Sequence, residues 1–378
     1  MSKEYQGISQ QNTKLDIHRM EECWCLLIRD RRWSAKQKRQ LVRHFSCPSK
    51  VLSASYAQTS EVIQRKQSQA NANIDVQQIK ADLQWLSSPQ NHLITINDTR
   101  YPEALLQLPD PPLALFASGK LSLLNEPVVA IVGSRRPTPI GAKITHDLSA
   151  GLAKLGIVIA SGMALGVDGL AHQAALEVGG GTIAVMGCGL DIVYPLRNTG
   201  LRNDIAVNGL LISEFALGVK PTKYTFPMRN RIVSGLAHGV IIVEAAKRSG
   251  TLITAGFASE QNKEVMVVPG SALSSQYAGS HDLIMNGAAL VTSTKDVLRC
   301  LAVPLRHVLL ETKKEEGRQS GKSLKHPLLE FIGAESTSMD AIIFSSGLTT
   351  AEVSSILLEL ELDGLVAATQ EGGYMNLS

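Results

Sequence analysis

The chain has 378 residues, 44% of them apolar and 19% charged, with a formal net charge of +3. Such a length exceeds what one hydrophobic core usually covers, and such a composition excludes wholesale disorder and fibrous repeats, so two or three packed domains are expected. A charge this small decides nothing about nucleic acid, because the placement of cations matters more than their sum.

In chain order, residues 1–20 are polar and lack the apolar core of a signal peptide. No later apolar run approaches the roughly 18 to 20 residues that cross a bilayer, so a cytoplasmic protein without membrane contact is expected. Polar, Gln-rich helical patterns at Cys23 to Ile28, Gln40 to Phe45 and Val76 to Leu86 read as a small helical domain over residues 1–91. Within it Arg29, Arg31, Arg32, Lys36, Lys38, Arg39 and Arg43 are opposed by Asp30 alone. They make either a phosphate-facing surface or, as the plainer reading, a solvated helix face. Leu93 to Ile96 looks like a short strand, and Tyr101-Pro102 with the Pro-rich residues 108–113 makes an extended connector that should lie against the next domain.

From Val128 onward, apolar runs of strand length alternate with helical segments: Val128 to Val132, Ile157 to Ala160, Thr182 to Met186, Leu210 to Ile212, Val240 to Val243 and Val265 to Val268. Unbroken hydrophobicity is what strands covered on both faces require, so residues 92–302 are expected to form a doubly wound, Rossmann-like parallel sheet, an α/β fold, with Leu290 to Thr292 as a final edge strand. The charged residues 311–317 read as part of a linker spanning residues 303–323. Residues 324–378 then read as a winged helix: a cap at Ser346 to Thr350, a helix over Ala351 to Leu362 with Val353, Ile356, Leu357 and Leu360 inward, and a wing at residues 364–366 and 373–375. The five cysteines, Cys23, Cys25, Cys47, Cys188 and Cys300, are scattered without a Cys-x-x-Cys pair, so a reducing compartment and no cysteine metal site are expected.

In such a sheet, ligands bind where strand ends feed into helix amino termini. The first strand ends in Gly133-Ser134-Arg135 ahead of a helix starting near Thr138, with Ile140, Ile144, Leu148 and Leu152 along one face. Glycine admits a phosphate to the backbone, Ser134 and nearby amides donate, and Arg135 offers a permanently charged fork. No Gly-x-Gly-x-x-Gly is present there, so no dinucleotide cofactor is expected. A second Gly-rich turn, Ser161-Gly162 to Asp168, and a third, Gly187 to Asp191, follow the next two strands; Asp168 and Asp191 read as structural caps. After the fifth strand, Ser249-Gly250-Thr251 opens a helix, with the Gly250 and Thr251 amides and the Thr251 hydroxyl as expected phosphate donors.

Residues 220–231, Lys-Pro-Thr-Lys-Tyr-Thr-Phe-Pro-Met-Arg-Asn-Arg, interleave cations with aromatics before a helix expected to start at Pro227. An aromatic flanked by cations suits an unpaired strand, with bases stacking on rings and cations tracking phosphates. Phe226 is the stacking candidate, against a plain core role, and Lys223 the nearest cation. Arg229 and Arg231 are two apart on a helix and point nearly opposite ways, so one should pair with Glu214 or Glu244 while the other joins Asn230 at the rim. The spacing leaves open which; Arg231 is taken with Asn230 as the rim candidate.

With these residues assembled, the chain resembles the DNA-processing protein A (DprA/Smf) family from about Leu93 to Leu298. The resemblance runs through Tyr101-Pro102, Asp110-Pro111-Pro112, Gly133-Ser134-Arg135, residues 161–168, Gly189-Leu190-Asp191, Tyr194-Pro195, residues 226–231, residues 249–254, Val268-Pro269-Gly270, Leu283-Ile284 and Gly287-Ala288. It implies a core that dimerises, protects incoming single-stranded DNA and loads the RecA recombinase during natural transformation, with a SAM-like leading domain and a winged-helix tail. His281, where Asn is usual, and Asn262-Lys263, where Gly-Arg is usual, depart from it.

The rival reading is an enzyme, since the fold also resembles nucleotide phosphoribohydrolases. The two positions that would carry their catalytic acids are Ile253 and Thr254, which cannot transfer protons, and Glu244, Glu260 and His172 have no evident partner. No catalytic residue and no metal site are therefore assigned. A purely structural adaptor is the third possibility.

Overall fold

Six of the apolar runs read from the sequence become parallel strands, because side chains that are apolar on both faces need helices on both sides. The computed structural model describes residues 20–64, 74–301, 327–333, 336–362, 365–369 and 373–376. The strands are β1 (Asn91–Thr95), β2 (Ala114–Gly119), β3 (Val128–Gly133), β4 (Val158–Ser161), β5 (Thr182–Val185), β6 (Leu210–Ser213), β7 (Gly239–Val243), β8 (Glu264–Val267) and β9 (Ala289–Leu290). They form one sheet in the order β1-β2-β6-β5-β4-β3-β7-β8-β9. From β6 to β9 all neighbours are parallel, whereas β1–β2 and β2–β6 are antiparallel. The connector ahead of Val128 is thus more than a lead-in: it closes the β6 edge, where open backbone groups would otherwise lie. The chain leaves β3 toward β6 and later returns past β3 to β7, which makes the β3/β7 border the switch point of the sheet.

Helices α1 (Met20–Arg29), α2 (Ala35–Phe45), α3 (Pro48–Ser53), α4 (Tyr56–Ile63) and α5 (Val76–Leu86) precede β1. Their starts follow local chemistry: Ser34 with Gln37 and Ser55 with Gln58 form reciprocal capping boxes, Pro48 sits in the first turn of α3, and Asp75 caps α5. Trp24, Leu27, Leu41 and Ile79 enter one apolar cluster with Phe116, Ala184, Met186 and Leu211, so these helices roof the β2/β6/β5 part of one sheet face. Polar locks secure the roof. Arg29 grips Asp82 at 2.5 and 2.7 Å and donates to the Leu217 carbonyl at 2.9 Å. Arg39 reaches Asp110 and the Pro111 carbonyl, Arg32 pairs with Asp30, and Lys38 donates to the Ile28 carbonyl. Much of the basic stretch is therefore spent on intramolecular pairs, which neither sequence reading anticipated.

The same face further along is covered by α6 (Pro139–Lys154) and α7 (Val167–Glu177), whose Leu148, Leu152, Ala171 and Ala175 meet Val129, Ile131, Ile159 and Ile241. After α8 (Thr199–Asn208), the opposite face takes α9 (Thr225–Leu236) and α10 (Gly250–Glu260), whose Ile232, Leu236, Ala255 and Ala258 meet Val128, Ala130, Val240 and Ile242. Ile140 departs from its expected place on the inner face of α6. It is 68% exposed.

The chain divides into two compact units, residues 1–307 and 308–378. The expected linker, residues 303–323, lies outside the described residues. The second unit carries α11 (Met339–Ser346), α12 (Thr350–Leu362) and a three-stranded sheet, β10 (Thr337–Ser338), β12 (Gly373–Asn376) and β11 (Val366–Ala368) in that order. Thr349 and Glu352 cap α12 reciprocally. Val353, Leu357 and Leu360 point into a core with Leu328, Ile342 and Val366. No single helix among the described residues is long and apolar enough to cross a membrane.

Candidate nucleic-acid interface

A pocket of about 610 Å³ opens at the carboxyl ends of the strands, at the switch point. It collects Gly133, Arg135, Gly162, Lys223, Phe226, Asn230, Ser249, Gly250 and Thr251, which lie up to 118 positions apart in the chain. Ser134 stands beside it, its amide donating to the Val243 carbonyl at 3.1 Å and its hydroxyl accepting the Arg136 amide.

The floor is set by close backbone approach. A Cβ on Gly133 would lie 2.0 Å from the Val243 carbonyl, so only glycine lets β3 and β7 end side by side. Thr251 stitches α10 to that floor: its hydroxyl donates to the Gly133 carbonyl at 3.0 Å, and its amide donates to the Ser249 hydroxyl, the N-cap, at 3.1 Å. Both Thr251 donors expected for a phosphate are thus engaged internally. The Gly250 amide donates to no acceptor among the described residues and is the donor left for a ligand.

The rim is cationic and aromatic. Arg135 and Lys223 are exposed, and the Arg135 guanidinium lies 5.9 Å from the centre of the half-buried Phe226 ring. Tyr194, 41% exposed, packs against the same ring, centroids 5.5 Å apart at 35°. Phe226 is therefore a half-buried ring beside a cation and a second ring, not a core residue. Its helix starts at Thr225, two residues earlier than expected: the Thr222 hydroxyl accepts the Tyr224 and Thr225 amides, and Pro227 fits in the first turn, where its missing N–H costs nothing.

The two arginines of α9 resolve in the order opposite to that assigned. Arg231 does not reach the pocket; it is buried, bound to the Glu214 carboxylate and the Asp110 carbonyl. Arg229 lines the pocket although only 5% exposed. It donates to the Gly162 and Val185 carbonyls at the ends of β4 and β5, and a Cβ on Gly162 would meet its guanidinium at 2.4 Å. Helical spacing showed that the pair diverges; only the positions of Glu214 and these carbonyls decide the sides. Arg229 also orients Asn230, donating to its Oδ1 at 3.1 Å, which leaves the Asn230 amide group for the pocket.

Asp168 is the one carboxylate lining the pocket. It accepts the Gly162 and Ala164 amides at 3.2 and 3.3 Å, clamping the turn after β4. Burial pushes its carboxyl above the usual range, and the Arg229 charge opposes that rise. Asp191 holds the Gly218 amide at 2.9 Å. His172 is buried against Thr182, at 2.7 Å, and burial with the nearby Arg229 charge lowers its pKa to about 3. Glu244, weighed as a base, instead holds Thr138 at the start of α6.

The order of these loops around a doubly wound sheet agrees with comparison to known proteins. The family model of DNA recombination-mediator protein A matches residues 92–302, and that of the DprA winged helix domain matches residues 313–372. The chain belongs to the DNA recombination-mediator protein A family. Protein Smf of Escherichia coli (strain K12) is 41% identical over 317 residues, covering 82% of this chain and 84% of that protein. DNA processing protein DprA of Streptococcus pneumoniae is 48% identical over 204 residues, 54% of this chain and 72% of that one. The X-ray structure of the S. pneumoniae DprA superposes with a TM-score of 0.64 at 35% identity, over 76% of this chain and 98% of that one. A Helicobacter pylori DNA processing protein A, whose structure is described as revealing a single-stranded DNA binding mode, superposes with a TM-score of 0.52 at 37% identity, over 56% of this chain and 97% of that one. The DprA fold thus accounts for both units.

Proposed function

We propose that this chain binds single-stranded DNA at the switch-point pocket, without altering it chemically. The observation that carries the reading is the rim: two exposed cations, Arg135 and Lys223, flank an accessible ring, Phe226, over a floor that offers the Gly250 amide and no free carboxylate. Phosphates meet the cations and amide, and a base meets the ring. A duplex competes poorly, because its bases are already stacked. The H. pylori relative supports the choice of ligand.

No catalytic step belongs to this reading. Ile253 and Thr254 occupy the pocket wall where a hydrolase of this fold needs acids, and Asp168 is committed to backbone amides. The family resemblance extends the proposal to a homodimer that protects strands entering the cytoplasm during transformation and passes them to RecA. Faster RecA filament assembly on protein-coated strands is the expected consequence.

Fluorescence anisotropy with an oligo-dT tests the central reading. Wild type is expected to bind, and the double variant Arg135→Ala, Lys223→Ala to lose affinity alike for all base sequences. Undiminished binding by the double variant would remove the strand from this pocket.

A further inference from the structure

One residue past Val243, whose carbonyl lies against Gly133 of the pocket floor, Glu244 occupies a position that the strand-binding reading does not use. It is 1% exposed and stands at φ 57°, the left-handed region that costs a residue other than glycine strain. Its carboxylate lies on the amino terminus of α6, the helix that follows β3. Thr138, the N-cap, donates its amide to Oε2 at 2.9 Å and its hydroxyl to Oε1. In the first turn, a Cβ on Gly141 would come within 2.1 Å of Oε1, so glycine is what admits the carboxylate there. Tyr277 closes the other side, its hydroxyl donating to Oε1 at 2.8 Å; burial, and then this bond, raise the phenol above its ordinary pKa.

In an open α/β sheet, that helix terminus at the switch point is where a nucleotide phosphate sits, drawn by unpaired amides and the helix dipole. Here the anion is supplied from within. We propose that Glu244 is a resident anion that sets ligand class: it closes the phosphate seat, so the adjoining pocket accepts internal phosphodiesters of a strand and rejects inorganic phosphate and phosphate-terminated mononucleotides. The inference rests on reading the pocket as a strand site. A terminal phosphate is a compact dianion that needs several convergent donors, and at α6 the Thr138 amide and hydroxyl and the Gly141 amide are engaged. A diester carries one charge and is held by the rim cations and ring instead.

Wild type, Glu244→Gly and Glu244→Gln are compared by thermal shift in millimolar inorganic phosphate or dTMP, and by anisotropy on oligo-dT with dTMP as competitor. Glycine suits φ 57° and empties the seat; glutamine keeps it filled without the charge. Phosphate is expected to leave the Tm of wild type and Glu244→Gln unchanged and to raise that of Glu244→Gly. In Glu244→Gly, dTMP should displace oligo-dT at least about tenfold more effectively than in wild type. Wild type should also bind 5′-phosphorylated and 5′-hydroxyl strands equally. Equal phosphate stabilisation of wild type and Glu244→Gly would overturn the proposal, as would a folded Glu244→Gly without a phosphate response. Should that variant not fold, Glu244→Ser is read by the same criteria. Failure of wild type to bind oligo-dT would instead strike the strand reading, since the phosphate response is measured without DNA.

Discussion

The chain contains two folds of kinds that often handle nucleic acid, and their charges are opposite. The sheet presents Arg135 and Lys223 around a ring, with Lys220, Lys247 and Arg248 also exposed nearby in sequence, while its one pocket carboxylate is tied to amides. The second unit is net acidic: residues 327–378 hold Glu330, Glu335, Asp340, Glu352, Glu359, Glu361, Asp363 and Glu371 and no Lys, Arg or His, while Lys313, Lys314, Arg318, Lys322 and Lys325 all precede them in sequence. Helix α12 alone carries three of these acids, Glu352, Glu359 and Glu361. A winged helix that reads DNA brings cations to the phosphates, because neutralising them supplies most of the affinity. Here every Lys and Arg of the unit precedes residue 327. Fold alone would suggest DNA for both units; the charges favour the proposed strand site on the sheet.

The contrast can be broken from either side. The largest effect expected is in the sheet: Arg135→Ala with Lys223→Ala should weaken oligo-dT binding about 100-fold, as two charge-assisted contacts would, and equally for dT and dC strands in anisotropy. Phe226→Ala should cost about tenfold, within the range for losing one stacked base, and Phe226→Trp should retain binding. Acid should separate the units next. The His172 pKa is lowered from 6.5 to about 3 in the folded protein, so the unfolded chain takes up a proton that the folded one refuses. Stability of the sheet unit should therefore fall as pH drops from 6.5 toward 3, by at most about 1.4 kcal/mol per pH unit from this group. His172→Gln should flatten that limb in denaturant titrations, whereas residues 327–378 hold no histidine to contribute to one. The smallest change is expected from Glu352→Gln with Glu359→Gln in the full chain, within about twofold for single-stranded DNA at physiological salt; a tenfold gain, from relief of repulsion, would place the strand on the winged helix.

The sheet was legible because both-face burial writes itself as unbroken apolar runs, and β3 to β8 fall within two residues of the runs read. The edge strands β1 and β2 were harder: the first turn at Asp98 to Tyr101 and the prolines between them mask a pairing set by the β6 edge. At the site, residue types were readable but engagement was not. Thr251 looked like a phosphate donor, yet whether a hydroxyl faces a ligand or a neighbouring carbonyl depends on where Gly133 arrives from far along the chain. Arg229 and Arg231 pose the same problem, decided by Glu214 and by two strand-end carbonyls. Tyr194, part of the family motif, carried no signal that it would stand beside Phe226. Glu244 was weighed as a base because its partners, Thr138 and Tyr277, are distant in sequence.

The most direct test of the strand site is the salt dependence of oligo-dT affinity, measured on wild type and on Arg135→Ala, Lys223→Ala together. With about four phosphates seated, wild-type affinity should fall roughly 50-fold between 50 and 200 mM salt, and that of the double variant, two contacts poorer, roughly sevenfold. Parallel slopes for the two proteins would mean that the phosphates are held somewhere else.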